Sequence, residues 1–394
     1  MQRGTLVSSR YVGDFNEGDV YHHGGVQITP VRNREYIKKF RDGLLLGANA
    51  PLSERLGYID SEIDQKRERF GIESPALVSQ GFVFNAGFGL TVHDISFNAI
   101  ANLSYSDLRF GVPVFEGDVI YGKSEVLGKQ FRKDGARNGS VQVKTTIYNQ
   151  RGEAVLEYVR QVLVRAARGE EYPKSSTVKP QPGEIDLAAV TLPRLYESLP
   201  PGLLGGSGKT FEDLEEGMTL AGLFEDSVDL VTFTWLQIAT LNDAAVHHNP
   251  ASNFIGYGGG VKARCEGEVS AHLPLAYHLG MNSGSHDAPT YPSDIVERLF
   301  QGAEGEPHER IRTRAEVLRK SSVEGRGDIG IATIRLVGEK YVTDAGMRAL
   351  KAAKFGGIDK IYEEGGEEGD GGASFLRVLT MEQVLAVPTR AAFK

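Results

Sequence analysis

The side chains best suited to chemistry lie close together between residues 242 and 248. Residues 241–250 read LNDAAVHHNP, which places an amide, a carboxylate and two imidazoles within a few positions. Proton transfer near neutral pH needs a group such as histidine, and a second polar side chain can hold the reacting water. Asn242 precedes His247 by the same interval as Asp243 precedes His248. Either pair predicts general acid–base chemistry, and a solvated loop is the alternative interpretation.

A glycine-rich stretch follows this polar segment. Residues 255–263 read IGYGGGVKA and lead into residues 263–273, which we interpret as a helix. Glycines that open a helix expose backbone N–H groups, and such groups can polarise a carbonyl oxygen. We therefore expect Gly258, Gly259 and Gly260 to bind an oxygen atom of a substrate, with a plain flexible connection as the alternative.

Two short sequence matches indicate that the scaffold holding these residues is duplicated. Residues 14–21 (DFNEGDVY) resemble residues 213–220 (DLEEGMTL), and residues 124–129 (SEVLGK) resemble residues 315–320 (AEVLRK). The matches occur in the same order and at similar separations, which favours a repeated domain over chance.

The region between the matched segments predicts the domain boundaries. Residues 169–208 are rich in Pro, Gly and Ser, as linkers are. We therefore predict an N-terminal domain over 1–168, a linker over 169–208 and a C-terminal domain over 209–394. Within the N-terminal domain, residues 40–47 (FRDGLLLG) correspond to the polar segment and keep Asp42 but no histidine. The C-terminal copy is thus the one equipped for catalysis.

Alternating apolar and polar residues predict long antiparallel strands in both halves. The predicted strands and turns are 139–148, a turn at 149–152, 154–164, 311–317, a turn at 325–328, 329–337 and 378–387. An amphipathic stretch at 233–241 precedes the polar segment, and apolar spacing predicts one buried helix over 94–103. A long antiparallel sheet around a central helix, present twice, is an α+β double hotdog in which the two domains share a sheet.

Length and composition exclude several classes of protein. The chain has 394 residues, enough for two domains, with 40% hydrophobic and 24% charged residues. A net charge of −8 argues against a nucleic-acid partner, and no apolar run is long enough for a membrane span or a secretory signal. The one cysteine, Cys265, excludes an intramolecular disulfide. We expect a cytoplasmic protein.

Four segments of the first half resemble a known family. Residues 90–110 (LTVHDISFNAIANLSYSDLRF), 113–118 (PVFEGD), 124–128 (SEVLG) and 149–160 (NQRGEAVLEYVR) resemble the MaoC-like double-hotdog hydratases, and within them the mesaconyl-CoA hydratase branch. The resemblance implies reversible addition of water to an enoyl-CoA thioester without a metal or other cofactor. The implied partner is an acyl-CoA substrate, with no membrane partner, and we expect a homo-oligomer, a homodimer or higher.

The resemblance also implies roles for the residues of the second half. The branch pattern Asn-x-x-x-Val-His-x-Asn matches residues 242–249, which implies His247 as the base and Asn242 as its water-orienting partner. The wider Asp–His pattern of enoyl-CoA hydratases selects Asp243 and His248 instead. The branch pattern Tyr-Gly-Gly-x-Val matches residues 257–261, which implies that Tyr257 and the following glycines bind the thioester.

The sequence does not determine the acyl group of the CoA substrate. A dicarboxylic acyl group needs a cation, for which Arg109 is the candidate, with a surface arginine beside Asp107 as the alternative. Apparent departures from the family pattern lie near 295–308 and in the acidic, glycine-rich segment 343–372, interpreted as a mobile loop. Alternative functions are (R)-specific hydration of another enoyl-CoA, thioester hydrolysis, and acyl-CoA binding without catalysis.

Overall fold

The chain forms one continuous antiparallel sheet of 13 strands. The computed structural model describes residues 10–193, 196–222, 226–248, 255–290, 310–342, 361–364 and 373–393. Two segments that depart from the family pattern were noted in the sequence. Residues 295–308 lie outside the described residues, as do residues 343–372 except for a short strand at 361–364. Among the described residues, no helix has the length and apolar character that a membrane crossing requires.

The elements of the first half lie between residues 20 and 176. The helices are α1 (Pro30–Phe40), α2 (Leu45–Ala48), α3 (Ala50–Arg55), α4 (Ile63–Phe70) and α5 (Gln80–Leu90). The strands are β1 (Val20–Gln27), β2 (Ala99–Phe110), β3 (Val119–Phe131), β4 (Asn138–Asn149), β5 (Ala154–Arg165) and β6 (Ser175–Ser176).

The elements of the second half follow the same plan. The helices are α6 (Leu230–Thr240), α7 (Ala245–His248) and α8 (Gly258–Ser270). The strands are β7 (Thr219–Ala221), β8 (Asp226–Ser227), β9 (Tyr277–His286), β10 (Arg310–Val323), β11 (Arg326–Val342), β12 (Ile361–Glu364) and β13 (Ala373–Pro388).

Strand order shows that the two halves repeat each other. The sheet runs β1-β3-β4-β5-β2-β9-β13-β11-β10-β7, and β2 pairs with β9 where the halves meet. Outward from this seam, both sides present strands in the same connectivity. The central helices α5 and α8 each contact strands of their own half. This architecture is the double hotdog, and the predicted α+β fold class is confirmed.

The two matched sequence segments make the same contacts in each half. The Gly18 N–H donates to the Val126 carbonyl at 2.9 Å, and the Gly217 N–H donates to the Val317 carbonyl at 2.7 Å. Both glycines have the left-handed φ of a turn, 89° and 83°. The short matches therefore mark equivalent turn-to-strand contacts in a duplicated structure.

The predicted strands are confirmed at their predicted places. Residues 139–148, 154–164, 311–317, 329–337 and 378–387 all lie within strands, and Gly152 and Gly325 take positive φ in the turns. Both faces of β4 are covered. On one of them, the Gln142 side chain exchanges two hydrogen bonds with the backbone of Lys179 in the connecting segment. That segment reaches the second half, where the Ile185 N–H donates to the Asn282 side chain.

The central helix of the first half is not where its apolar spacing predicts it. Residues 94–103 form the end of a π-helical turn and the start of β2, whereas the buried helix is α5, upstream. All its residues are buried, so the sequence QGFVFNAGFGL has no polar face to produce a helical period. The prediction of a helix at 94–103 is wrong for that reason.

Candidate active site

A cavity of about 330 Å³ lies where the two halves meet. Its walls come from β2, β5, β9, the loop between α6 and α7, and the start of α8. Most of the lining is apolar, and the polar groups from the second half include Asn242, His247 and His286. A largely apolar cleft with a few converging polar groups is typical of a small-molecule site.

The loop before α7 decides which polar side chains reach this cavity. Helix α6 ends at Leu241, whose φ of 58° is left-handed and unfavourable for a branched side chain. The Asn242 side-chain oxygen then accepts the Ala244 N–H at 3.3 Å, which closes a tight turn. Neighbouring residues on a helix point about 100° apart, so His247 and His248 in α7 face different directions.

His247 is positioned as a neutral base. Its Nδ1 lies 2.7 Å from the Ile255 carbonyl, so Nδ1 carries the proton and donates it. This tautomer leaves Nε2 as an acceptor, and no described residue bonds to it. Burial lowers the pKa of His247 to about 4, the carbonyl contact opposing this and nearby His248 reinforcing it. The imidazole is therefore uncharged at neutral pH.

Asn242 places an unused donor in the same cavity. Its side chain is 0% exposed, and its Nδ2 has no hydrogen-bond partner among the described residues. Because the Oδ1 atom accepts the Ala244 N–H, the amide orientation is fixed and Nδ2 points away from that bond. A buried donor without a partner is costly, so this atom is suited to binding a water or a substrate oxygen.

The first turn of α8 supplies backbone donors. Gly258 and Gly259 line the cavity and are the first two residues of the helix, where N–H groups have no intrahelical partner. A Cβ at Gly258 would lie 2.5 Å from the His286 ring, and one at Gly259 would lie 2.0 Å from the Asn85 side-chain oxygen. Close packing, and not only exposure of the backbone, therefore requires glycine at both positions.

Tyr257 lines the cavity, whereas Gly260 does not. The N–H of Gly260 donates to the Tyr257 carbonyl at 2.8 Å, and its Cα packs against Phe233 away from the cavity. Tyr257 lines the cavity, and burial raises the pKa of its hydroxyl well above the ordinary value, a shift that the neighbouring Asn242 side chain opposes. The structure thus brings two of the three glycines, with Tyr257, to this cavity.

The alternative pair of the loop lies on the surface. Asp243 is exposed and 3.0 Å from the Nε2 atom of His93. His248 is exposed as well, and its Nε2 lies 3.4 Å from the backbone carbonyl of Asn242. The structure does not bring Asp243 or His248 to the cavity.

Arg109 is also outside the cavity. It lies on β2, and its guanidinium forms ion pairs with Glu157 and Asp107. Its charge is therefore compensated by two carboxylates of the protein. The expectation that Arg109 receives a substrate carboxylate is not supported by this placement.

The first half carries a version of the loop without the histidine. Helix α1 ends at Arg41 with a φ of 54°, and Asp42 accepts the Leu44 N–H at 3.1 Å, as Asn242 does from Ala244. The position corresponding to His247 is Gly47, which is buried against Ser79. The two halves thus share the same turn, which is followed by a histidine in the second half and by a glycine at the corresponding position of the first.

Comparisons with known proteins identify relatives of this chain. No protein-family model matches the chain. A β-methylmalyl-CoA dehydratase from Chloroflexus aurantiacus is 31% identical over 343 residues, 83% of this chain and 87% of that protein. The chain belongs to the MaoC-like double-hotdog hydratase family. A mesaconyl-CoA hydratase from Cereibacter sphaeroides is 33% identical over 306 residues, 71% of this chain and 78% of that protein.

Solved structures of MaoC-like proteins share the fold. A MaoC-domain dehydratase from Chloroflexus aurantiacus superposes with a TM-score of 0.76 and 25% identity, over 97% of this chain and 98% of that one. A Mycobacterium tuberculosis protein described as a double hotdog superposes with a TM-score of 0.67 and 17% identity, over 96% and 98%. The second likeness concerns the fold alone.

Two residues that line the cavity of this MaoC-like hydratase were not predicted from the sequence. His286 ends β9, lies 3.3 Å from the Tyr105 hydroxyl, and has a pKa that burial lowers to about 4. Arg160 points inward from β5 and is fully buried. His286 lacks a local motif, but the charged Arg160 within the apolar run VLEYVRQVLV was a usable signal.

Proposed function

We propose that this protein adds water reversibly to the double bond of an enoyl-CoA thioester, converting mesaconyl-CoA to β-methylmalyl-CoA. The observation that carries the proposal is the pairing of His247 and Asn242 in one cavity with the N-terminus of α8. A base, a water-holding amide and free backbone donors are the three groups that such a hydration needs. The relatives named for this reaction support the choice of substrate.

Hydration proceeds in two proton transfers. The Nε2 atom of His247 takes a proton from water that the Asn242 amide holds, while the water oxygen bonds to the β-carbon. The electron pair of the double bond moves onto the thioester oxygen, where the N–H groups of Gly258 and Gly259 stabilise the enolate charge. One such donor contributes about 3–4 kcal/mol in comparable sites. The imidazolium then returns the proton to the α-carbon, which balances the reaction.

The substrate assignment predicts a clear result with the purified protein. With mesaconyl-CoA, we expect loss of the ultraviolet absorbance of the enoyl thioester and formation of β-methylmalyl-CoA by mass spectrometry. With β-methylmalyl-CoA, the same equilibrium should be reached from the other side. Release of free CoA thiol would instead identify a thioesterase, and binding without turnover would identify an acyl-CoA-binding protein.

The pH dependence of the reaction tests the identity of the base. Because the pKa of His247 is lowered to about 4, the base stays unprotonated at neutral pH, and kcat/KM should fall only as the pH decreases through about 4. A stopped assay over a pH series, with folding checked by circular dichroism at each pH, measures the midpoint. A midpoint near 6.5, the ordinary value for histidine, would contradict a buried imidazole as the base.

A further inference from the structure

Arg160 is a buried cation in the wall of the active-site cavity. It lies on β5 between Tyr158 and Val162, whose side chains share its inward-facing side of the strand. Its side chain is 0% exposed, and its guanidinium carbon lies 4.3 Å above the centre of the Phe88 ring. The guanidinium is therefore shielded from bulk solvent and belongs to the wall of the cavity.

The hydrogen bonds of Arg160 are incomplete. One terminal nitrogen, Nη2, donates to the Thr91 hydroxyl at 2.8 Å and lies 3.5 Å from the Ser96 hydroxyl. Among the described residues, the Nε and Nη1 atoms have no hydrogen-bond partner, and no carboxylate forms an ion pair with the guanidinium. A guanidinium has five N–H donors, so most of its capacity is unused. Burial correspondingly lowers the pKa of Arg160.

Two other buried cations, both lysines, are paired with carboxylates. Lys66 lies 2.6 Å from a carboxylate oxygen of Asp118, and Lys262 lies 2.5 Å from Glu266. A buried charge without a counter-ion costs several kcal/mol, which explains why the fold supplies carboxylates at those sites. Arg160 departs from this pattern, and it lies in the wall of a cavity where a ligand can supply the missing charge.

We propose that Arg160 binds the free carboxylate of a dicarboxylic enoyl-CoA and so selects the substrate; this inference rests on the hydratase function proposed above. In mesaconyl-CoA, the carbon that receives the hydroxyl is bonded to that carboxylate. The carboxylate site must therefore lie close to the base, and Arg160 and His247 line the same cavity. A planar guanidinium with two free nitrogens suits the two oxygens of a carboxylate.

Asn102 completes the proposed carboxylate site. It lies on β2 and lines the same cavity, and both polar atoms of its amide are buried without a hydrogen-bond partner in the described part of the chain. Its Nδ2 can donate to a carboxylate oxygen beside the guanidinium.

Arg160→Gln tests this role through a pair of substrates. With mesaconyl-CoA, we expect kcat/KM to fall by about 100-fold to 1,000-fold, since one partner of a buried charge pair is lost. With crotonyl-CoA, which lacks the carboxylate, the variant should match or exceed the wild-type rate. Arg160→Lys should recover part of the loss, since it restores the charge without the planar fork. Equal losses on both esters, or no loss on either, would overturn the proposal.

Two controls keep this result independent of folding and of the proposed function. Arg165→Gln, at the exposed end of the same strand, should leave both activities unchanged. In the wild-type protein, succinyl-CoA should bind at least about tenfold more tightly than butyryl-CoA, which has the same chain length without the charge. Equal affinities would overturn the role of Arg160 without any variant. If the proposed hydratase function is wrong, the wild-type protein will hydrate neither mesaconyl-CoA nor crotonyl-CoA. It can still bind succinyl-CoA more tightly than butyryl-CoA, so the two failures are distinguishable.

Discussion

His247→Ala is expected to lower the rate of hydration by about 100-fold to 10,000-fold, the range for loss of a general base. The reason is geometric: the Ile255 carbonyl fixes the proton on Nδ1 and leaves Nε2 free in the cavity. The rate is measured with mesaconyl-CoA in both directions. Affinity for butyryl-CoA, measured by calorimetry, should change little, since the variant removes the base and leaves the rest of the cavity.

His248→Ala is the matched control for that experiment. The two histidines are adjacent, and the sequence offers each as a base, but His248 is exposed and outside the cavity. The rate of the His248→Ala protein should stay close to that of the wild type. A large loss in His248→Ala together with a small loss in His247→Ala would assign the base to the other pairing and contradict the geometry described here.

The elements predicted correctly are those whose environment is asymmetric. Strand β10 has one core face, with buried residues alternating with partly exposed ones, so a period of two appears in its sequence. The duplication was also visible, because a turn that needs a left-handed residue keeps its glycine, as at Gly18 and Gly217. Constraints of this kind depend on a few neighbouring residues, so they can be recognised from the sequence.

The features missed depend on contacts between distant parts of the chain. Helix α5 is buried on every side and rich in Gly and Phe, so neither periodicity nor propensity marks it. Arg109 and Arg160 both lie within segments that resemble the family. Only the fold shows that Glu157 neutralises Arg109 and that Arg160 has no carboxylate partner among the described residues. The choice between His247 and His248 likewise depends on which side of α7 faces the cavity.

Asn242→Ala is expected to lower hydration by about 100-fold, the lower end of the range for groups that act on the reacting proton. The wild-type amide accepts the Ala244 N–H through Oδ1, and its Nδ2 has no hydrogen-bond partner among the described residues. The loss should appear mainly in kcat, because the amide positions water and not the thioester. Thermal unfolding of the variant measures the separate cost of losing the turn.

Asn242→Asp and a double variant show whether the amide and the base act on one water molecule. The Asp variant copies Asp42 of the first half, and a carboxylate beside the imidazole favours its charged form, so the midpoint of the pH profile should rise above about 4. If Asn242 and His247 handle the same water, the double alanine variant should be about as slow as His247→Ala alone. Losses that multiply would show that the two residues act independently, and Asn242 would then be a support of the loop and not the group that holds the water.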